Sequence, residues 1–253
     1  MARNLDRWLG GARLRSVEVH DEKFDREQLE SLAGTMVLRA WRRAKYAVVD
    51  LNDERHLVIH YRMTGKTVID PEGVRTGRLR LVPDDRAPVV FEDTRRFGEV
   101  WVVSSADLDP FFLRRRLGPE PWPHLRDGDW WAAQLSGLRG PIKPALMRQD
   151  RVAGLGNIIA SEVCFVAGID PRTPVPALPV SAWQAISESV QSVIGRTLTT
   201  DGGDEIMYVN MGGENHFSVY GKEGSPCPSC GSSIERITQS ARSSYFCPDC
   251  QLG

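Results

Sequence analysis

Four cysteines near the carboxyl terminus constrain the fold of this chain more than any other feature. They are Cys227, Cys230, Cys247 and Cys250, which form two Cys-x2-Cys pairs separated by sixteen residues. Each pair can direct two thiolates at one ion, and the intervening stretch suits a β-hairpin that brings the pairs together around tetrahedral Zn²⁺. A disulfide framework is disfavoured, because the amino terminus has no apolar stretch resembling a secretion signal. We therefore predict one structural zinc ion, which stabilises a tail too small to fold alone.

The first half of the chain has the pattern of an antiparallel β-structure. Short runs rich in β-branched and aromatic residues occur at 14–19, 36–41, 46–51, 57–61, 79–82, 89–91 and 100–103. Turn-forming stretches separate these runs, and this spacing is typical of a sandwich or barrel. An amphipathic helix is predicted before them, at residues 3–9.

From about Gly128 the apolar pattern changes to a helical period, after a proline-rich segment that predicts an interdomain linker. One helix is expected to begin at Ser181, with its hydroxyl as the cap and Gln184 reaching back. Another is expected over residues 157–167, ended by Gly168. We predict an α+β fold: an N-terminal antiparallel β-sandwich at 1–117, a linker at 118–127, a helical domain at 128–218 and a zinc finger at 219–253.

Charge and hydropathy narrow the functional classes less than the motifs do. The net charge is −1, which neither supports nor excludes a nucleic-acid partner, so any basic surface must be local. The longest apolar runs are far shorter than the roughly 20 residues of a membrane helix. We therefore expect a cytoplasmic protein, nucleoid-associated if bacterial, without a membrane partner.

A second motif, Val-Ala-Gly-Leu-Gly-Asn at residues 152–157, predicts a double-glycine turn that leads into a helix. Such a turn exposes backbone N–H groups at the helix amino terminus, where an anion such as a DNA phosphate can bind. Lys143 could contact the same phosphate, and Arg242 lies near the tip of the predicted hairpin. A plain helix–helix turn and a solvated arginine explain these residues equally well, so the motif alone leaves both readings open.

Five motifs taken together resemble one family. Residues 142–171 resemble the helix-two-turn-helix of formamidopyrimidine-DNA glycosylases and endonuclease VIII, and residues 219–251 are similar to that family's zinc finger. In the first half, Arg-Arg-Ala-Lys-Tyr at 42–46, His-Tyr-Arg-Met-Thr-Gly at 60–65 and Asp-Thr-Arg-Arg-Phe-Gly at 93–98 match the family in the same order. The last of these resembles the oxidised-purine branch more than the pyrimidine branch.

The resemblance implies a DNA-repair enzyme that removes oxidised bases from duplex DNA, with abasic-site lyase activity through a Schiff base. It implies a monomer that binds damaged double-stranded DNA and one Zn²⁺. The resemblance implies that Met63, Arg95 and Phe97 fill the void left by the flipped base. It implies phosphate contacts for Lys143, Asn157 and Arg242, and more weakly for His60. It implies catalytic roles for Lys45 and for Glu162, which is expected to line the lesion pocket. Taken singly, Met63 and Phe97 are ordinary core residues and Glu162 and Lys45 are ordinary exposed ones.

One departure from the family concerns the amino terminus. Family members begin with Pro-Glu-Leu-Pro-Glu, and their proline amine attacks the sugar, whereas residues 2–9 of this chain match the helix that follows that segment. We expect either that the start codon has been placed too late or that the usual nucleophile has been lost. In the second case Lys45 is the amine we nominate, activated by desolvation or by Arg42 and Arg43. The loop after Thr200 also looks shorter than the family's lesion-capping loop, which leaves the preferred lesion open.

Three hypotheses follow from the sequence. The first is an active glycosylase and lyase, the second is a catalytically impaired homologue that retains binding to damaged DNA, and the third is a zinc-ribbon adaptor for another protein. The void-filling residues and the phosphate-type turn argue against the adaptor, which needs neither. The amino-terminal proline separates the first two hypotheses.

Overall fold

The computed structural model describes residues 1–70, 72–73, 75, 77–200 and 215–252. Among these residues, Met1–Arg115 form one compact unit and the residues from Arg116 onwards form a second one. The expectation of a short lesion-capping loop falls largely on residues 201–214, which lie outside the described residues. In the described part of the chain, no helix combines the length and the apolar character needed to cross a membrane.

The first unit is a sandwich of two four-stranded antiparallel sheets. Its elements are α1 (Ala2–Leu9), β1 (Leu14–Val19), α2 (Arg26–Glu30), β2 (Val37–Arg43), β3 (Tyr46–Leu51), β4 (Arg55–His60), β5 (Lys66–Ile69), β6 (Leu79–Pro83), β7 (Val89–Glu92), β8 (Glu99–Ser104) and α3 (Ser105–Arg114). One sheet has the order β1-β6-β7-β5 and the other has the order β2-β3-β4-β8. The prediction of an N-terminal antiparallel β-sandwich is therefore confirmed.

The core of this unit lies between the inward faces of the two sheets, where Val17, Val49, Ile59 and Phe91 belong to one buried apolar cluster. Helix α1 contributes Leu5 and Leu9 to the same cluster. Burial of such side chains is worth about 1.5–3 kcal/mol each. Strand β5 escaped the sequence prediction because it has only four residues and begins with a lysine.

The second unit combines a helical bundle with a terminal hairpin. Its elements are α4 (Gly128–Leu135), α5 (Ile142–Leu146), α6 (Asn157–Val166), a 3₁₀ turn (Val175–Ala177), α7 (Val180–Thr200), β9 (Glu235–Gln239) and β10 (Arg242–Phe246). Trp131, Leu146, Val163 and Val190 belong to the apolar core of the helical part. Strands β9 and β10 pair antiparallel between the two cysteine pairs. The predicted helical domain and hairpin zinc module are thus confirmed.

The predicted capping box at the start of α7 is wrong. The helix begins at Val180, so Ser181 lies inside its first turn. The Gln184 side chain accepts a hydrogen bond from the Gly128 backbone N–H at 3.2 Å and donates to Glu188 at 2.9 Å. A contact with the neighbouring helix α4 has therefore replaced the local cap.

Candidate functional site

The four cysteine sulfurs of the terminal module lie within 4.8 Å of one another. Cys227 and Cys250 approach to 3.8 Å between Sγ atoms, and Cys230 and Cys247 approach to 3.4 Å. Sulfurs around tetrahedral zinc at a Zn–S distance of about 2.3 Å are roughly 3.8 Å apart. The donor set and its spacing therefore fit a closed structural zinc site, with the β9–β10 hairpin joining the two pairs as predicted.

Lys143 joins the helical part of the second unit to the zinc module. Its Nζ atom donates to Asn157 Oδ1 at 2.5 Å, to the Ser243 carbonyl at 3.0 Å and to Ser244 Oγ at 2.8 Å. The Asn157 side-chain amide also donates to the Ser243 carbonyl at 3.0 Å. Because the lysine is 1% exposed, its ammonium is held by the protein. Its pKa is lowered to about 8, mainly by burial and in smaller part by the charge of Arg242.

Arg242 and the start of α6 lie beside this lysine. Arg242 is an exposed residue at the beginning of β10, directly before Ser243. Gly156 precedes α6 and provides no side-chain cap for the first amides of the helix. Gly154 in the same turn has a φ of 105°, a conformation that residues with a Cβ rarely adopt. The structure thus brings together three of the four residues predicted for phosphate contact, Lys143, Asn157 and Arg242, whereas His60 belongs to the first unit.

The double-glycine turn is braced by a residue that the sequence did not single out, Gln149. Its side-chain carbonyl accepts a hydrogen bond from the Gly154 N–H at 3.0 Å, and its amide donates to the Leu155 carbonyl at 2.9 Å. The amide also donates to the Met147 carbonyl at 2.8 Å. A polar side chain a few residues before a glycine-rich turn was the only available signal for this role.

In the first unit, the loop after β4 and the loop after β7 present an exposed cluster of Met63, Arg95 and Phe97. Met63 is 60% exposed and Phe97 is 50% exposed, so the default assignment of both to the core is wrong. A guanidinium nitrogen of Arg95 lies 3.7 Å from the Met63 sulfur, and the guanidinium carbon lies 4.8 Å from the centre of the Phe97 ring. The three side chains predicted to fill the void therefore form one group at the surface.

His60 and Lys45 lie close to each other in the first unit. His60 ends β4 and packs edge-on against Tyr46, with ring centres 4.6 Å apart. Burial lowers the pKa of His60 to about 4, and the charges of Arg62 and Lys45 contribute in the same direction. Its Nδ1 accepts the Arg62 backbone N–H at 3.2 Å, so the neutral ring carries its proton on Nε2. Lys45 lies half-buried in the two-residue turn between β2 and β3.

Glu162 departs from the expected lining of a lesion pocket. Its side chain is fully buried on α6. One carboxylate oxygen accepts hydrogen bonds from the backbone N–H groups of Val219 at 2.9 Å and Tyr220 at 3.0 Å. The other accepts from the Ser218 N–H at 2.7 Å and lies 3.5 Å from an Arg196 nitrogen. The carboxylate therefore anchors the chain segment that leads into the zinc module.

The fold and these sites define a class: proteins that join an antiparallel β-sandwich to a helix-two-turn-helix unit with a four-cysteine zinc finger. Three family models match the chain. They are the formamidopyrimidine-DNA glycosylase N-terminal domain at residues 1–100, the H2TH domain of the same enzymes at 117–207, and the zinc finger found in FPG and IleRS at 224–252.

Individual relatives agree with these matches. The formamidopyrimidine-DNA glycosylase of Cereibacter sphaeroides is 36% identical over 88% of this chain and 85% of its own length. That of Moorella thermoacetica is 38% identical over 81% of this chain and 78% of its own length. The Lactococcus lactis Fpg protein, solved with DNA containing an abasic site, superimposes with a TM-score of 0.89 at 29% identity, covering 100% of this chain and 97% of that one. The chain belongs to the formamidopyrimidine-DNA glycosylase family, and its zinc finger carries a structural zinc site.

Proposed function

We propose that this protein removes oxidised bases from duplex DNA and then cleaves the abasic strand. The observation that carries the proposal is the exposed cluster of Met63, Arg95 and Phe97. A glycosylase must turn the damaged nucleotide out of the duplex, which costs a few kcal/mol of unstacking and leaves a gap. A thioether, a planar cation and an aromatic ring are suited to a gap between base pairs. Exposed apolar side chains that are grouped together often mark an interaction site.

The second unit supplies the complementary contacts, to the phosphate backbone. Arg242 offers an exposed guanidinium, and the start of α6 offers backbone N–H groups. Such contacts fix the position of a duplex without reading its sequence. We assign Lys143 an indirect share in this binding, because its ammonium holds Asn157 and the hairpin residue Ser243 in place. Neutral His60, with its proton on Nε2, can donate to a further phosphate.

The proposed chemistry needs an amine. Its nitrogen attacks the anomeric carbon of the sugar, and the glycosidic bond breaks with its electron pair leaving on the base, which takes up a proton. The opened sugar then forms an imine, loses a proton from the adjacent carbon and expels the 3′ phosphate. Within the described first unit we nominate Lys45 for the amine, because it matches the family motif. Lys66 is a poorer candidate, since its side chain is buried and its Nζ atom lies 3.7 Å from a carboxylate oxygen of Glu92. Glu162 receives a structural role instead of a catalytic one.

Borohydride trapping tests this proposal. The protein is incubated with duplexes that contain an oxidised purine, an abasic site or no lesion, and reduction converts any imine into a stable adduct. We expect base release and an adduct with the damaged duplexes only, loss of the adduct in Lys45→Ala, and retention in Lys23→Ala, an exposed lysine of the same unit.

The other outcomes separate the competing hypotheses. An undiminished adduct in Lys45→Ala would move the nucleophile to another amine while leaving the glycosylase assignment in place. Tight binding to the lesion without base release would favour the catalytically impaired homologue. Equal affinity for damaged and intact duplex would overturn the proposal.

We also propose that the protein acts as a monomer, because the void-filling and phosphate-binding groups belong to the same polypeptide. We expect it to be located in the cell compartment that contains the DNA. Light scattering of the complex with a short damaged duplex should give one protein per duplex. Two proteins per duplex would contradict the monomer.

A further inference from the structure

A buried carboxylate, that of Asp93, lies behind the exposed cluster. Its Oδ1 accepts a hydrogen bond from the Thr64 hydroxyl and from the Arg95 backbone N–H, the latter at 3.3 Å. Its Oδ2 accepts from the Gly98 N–H at 2.6 Å and from an Arg78 nitrogen at 3.0 Å. Thr64 directly follows Met63, whereas Arg95 and Gly98 flank Phe97. One side chain therefore bonds to both loops that carry the cluster.

Arg78 extends this support into the sheet. Its guanidinium is buried, lies 4.3 Å from the centre of the Phe24 ring and also donates to the Gly98 carbonyl at 2.9 Å. It pairs with Asp21, which in turn binds Arg96 at 2.6 Å. The loop from Asp93 to Gly98 is thus held through its first residue, through Arg96 and through its last residue.

The packing around Gly98, the last residue of this loop, leaves no room for a side chain. A Cβ at Gly98 would lie 2.5 Å from a ring atom of Phe91 and 3.0 Å from Asp93 Oδ2. The backbone therefore approaches the carboxylate as closely as a glycine allows. Burial by itself raises the pKa of Asp93, but the hydrogen bonds from Thr64 and Gly98 outweigh it, so that the pKa is lowered and the carboxylate is ionised at neutral pH.

We propose that Asp93 is a positioning residue that holds Met63 in register with Arg95 and Phe97, so that the three side chains enter the gap as one preformed wedge. This inference rests on the proposed function. Side chains that are ordered before binding lose less conformational entropy when they bind. This gain in binding free energy arises only on a duplex that has a gap to fill. Asp93 should therefore govern the preference for damaged over intact duplex rather than affinity in general.

Two isosteric changes test the role of Asp93. Asp93→Asn removes the charge and turns an amide towards the donors of Gly98 and Arg78, whereas Thr64→Val removes only the hydroxyl that links the Met63 loop. Two variants serve as controls. Thr64→Ser keeps the hydroxyl, and Asp85→Asn changes a carboxylate to an amide at an exposed position. The measurements are the dissociation constants for abasic and intact duplex, and base extrusion followed by 2-aminopurine fluorescence beside the lesion.

We expect Asp93→Asn to lower the preference for the abasic duplex about tenfold and to slow extrusion, with affinity for intact duplex within about twofold of wild type. Thr64→Val should lower the preference several-fold, whereas Thr64→Ser and Asp85→Asn should match wild type. In a Met63→Ala background, Asp93→Asn should have little further effect on the preference, because its action passes through the wedge.

An unchanged preference in Thr64→Val, or a full additional loss when Asp93→Asn is combined with Met63→Ala, would overturn the inference. Should Asp93→Asn fail to fold, Thr64→Val decides alone. A wild-type protein without any preference for damaged duplex would instead overturn the proposed function, so the two failures are distinguishable.

Discussion

Lys143 and Arg242 carry the same charge in the same part of the second unit, but they differ in exposure. Lys143 is buried and donates to three protein acceptors, whereas Arg242 is exposed at the start of β10. An exposed cation that meets a phosphate releases a counterion on binding, and its removal lowers the salt dependence of binding. A buried cation that holds other groups contributes through the order of the protein instead.

We therefore predict different consequences for Arg242→Ala and Lys143→Ala. Arg242→Ala should lower the slope of log affinity against log salt by about 1, with a melting temperature close to that of wild type. Lys143→Ala should weaken DNA binding and also lower the melting temperature, because it leaves Asn157, Ser243 and Ser244 without their shared donor. Salt titrations by fluorescence anisotropy and thermal melts check both variants. Wild-type stability in Lys143→Ala would contradict the indirect role.

His60 makes the stability of the first unit depend on pH. Its pKa is about 4 in the folded protein because of burial and neighbouring cations, against an ordinary value of 6.5. Between these values the unfolded chain binds a proton at this residue and the folded chain does not. Stability contributed by His60 is therefore present above pH 6.5 and lost as the pH falls towards 4.

The corresponding variant is His60→Gln, which cannot take up the proton. We predict that its urea midpoint falls less than that of wild type when the pH is lowered from 7 to 4.5. Both proteins are measured in the same buffers, so that the titration of the carboxylates is common to both. Parallel losses in the two proteins would show that His60 is protonated in the folded state.

At the scale of elements, helix α6 connects the parts of the second unit. Its first residue, Asn157, binds the hairpin at Ser243, and Glu162, five residues later, binds the backbone of Ser218 to Tyr220. The segment that enters the zinc module and the hairpin within it are therefore fastened to one helix.

Glu162→Gln tests the anchoring role. The amide keeps the shape of the side chain but has a single acceptor oxygen, so at least one buried backbone N–H loses its partner at a cost of about 1–3 kcal/mol. We predict that Glu162→Gln lowers the free energy of unfolding by about 1–3 kcal/mol in urea titrations. The pH dependence of base release should be the same as in wild type. A stable variant that no longer releases the damaged base would restore Glu162 to the catalytic residues.

Zinc removal tests whether the sandwich stays folded when the zinc module unfolds. The core of the first unit includes none of the four cysteines, so chelation should leave its β-structure intact. The hairpin should lose its fold, and with it two of the three acceptors of Lys143, Ser243 and Ser244, so that DNA binding weakens. Elemental analysis should give one zinc per chain, and circular dichroism with anisotropy should follow the chelation. A full loss of β-structure would contradict this prediction.

At the scale of the whole molecule, the proposed function assigns recognition of damage to the first unit and binding to the phosphate backbone to the second. The first unit carries the exposed cluster of Met63, Arg95 and Phe97, and the second carries Asn157 and Arg242. The two tasks differ physically, because a wedge gains free energy only where a base has left the stack, whereas phosphate contacts are the same on every duplex.

We predict that Met63→Ala and Phe97→Ala weaken binding to a lesion-containing duplex severalfold more than binding to an intact duplex. Asn157→Ala and Arg242→Ala should weaken both to the same extent. Affinity titrations of the four variants on matched duplexes with and without the lesion provide the test. Equal losses on both duplexes for Met63→Ala and Phe97→Ala would remove the void-filling assignment.

Local patterns were sufficient for much of the fold. The strands Leu14–Val19 and Tyr46–Leu51 were predicted with the bounds they have, because their β-branched residues lie between clear turns. The strand Lys66–Ile69 and the helix Ser105–Arg114 escaped prediction, since the strand begins with a lysine and the helix contains Pro110. The start of α7 was misplaced, because Gln184 prefers a partner on α4 to a local cap.

The sequence by itself determined the zinc ligands and the order of sandwich, helices and hairpin, because these depend on spacing along the chain, whereas Met63, Arg95 and Phe97 were singled out only through the family resemblance. Only the tertiary structure decided that Lys143 is buried, that Glu162 is an anchor and that Asp93 connects two loops. Their partners lie far away in sequence, 100 residues from Lys143 to Ser243, 57 from Glu162 to Val219 and 29 from Thr64 to Asp93. Periodicity and spacing report a residue's neighbours along the chain, whereas burial and hydrogen bonding depend on neighbours that only folding brings together.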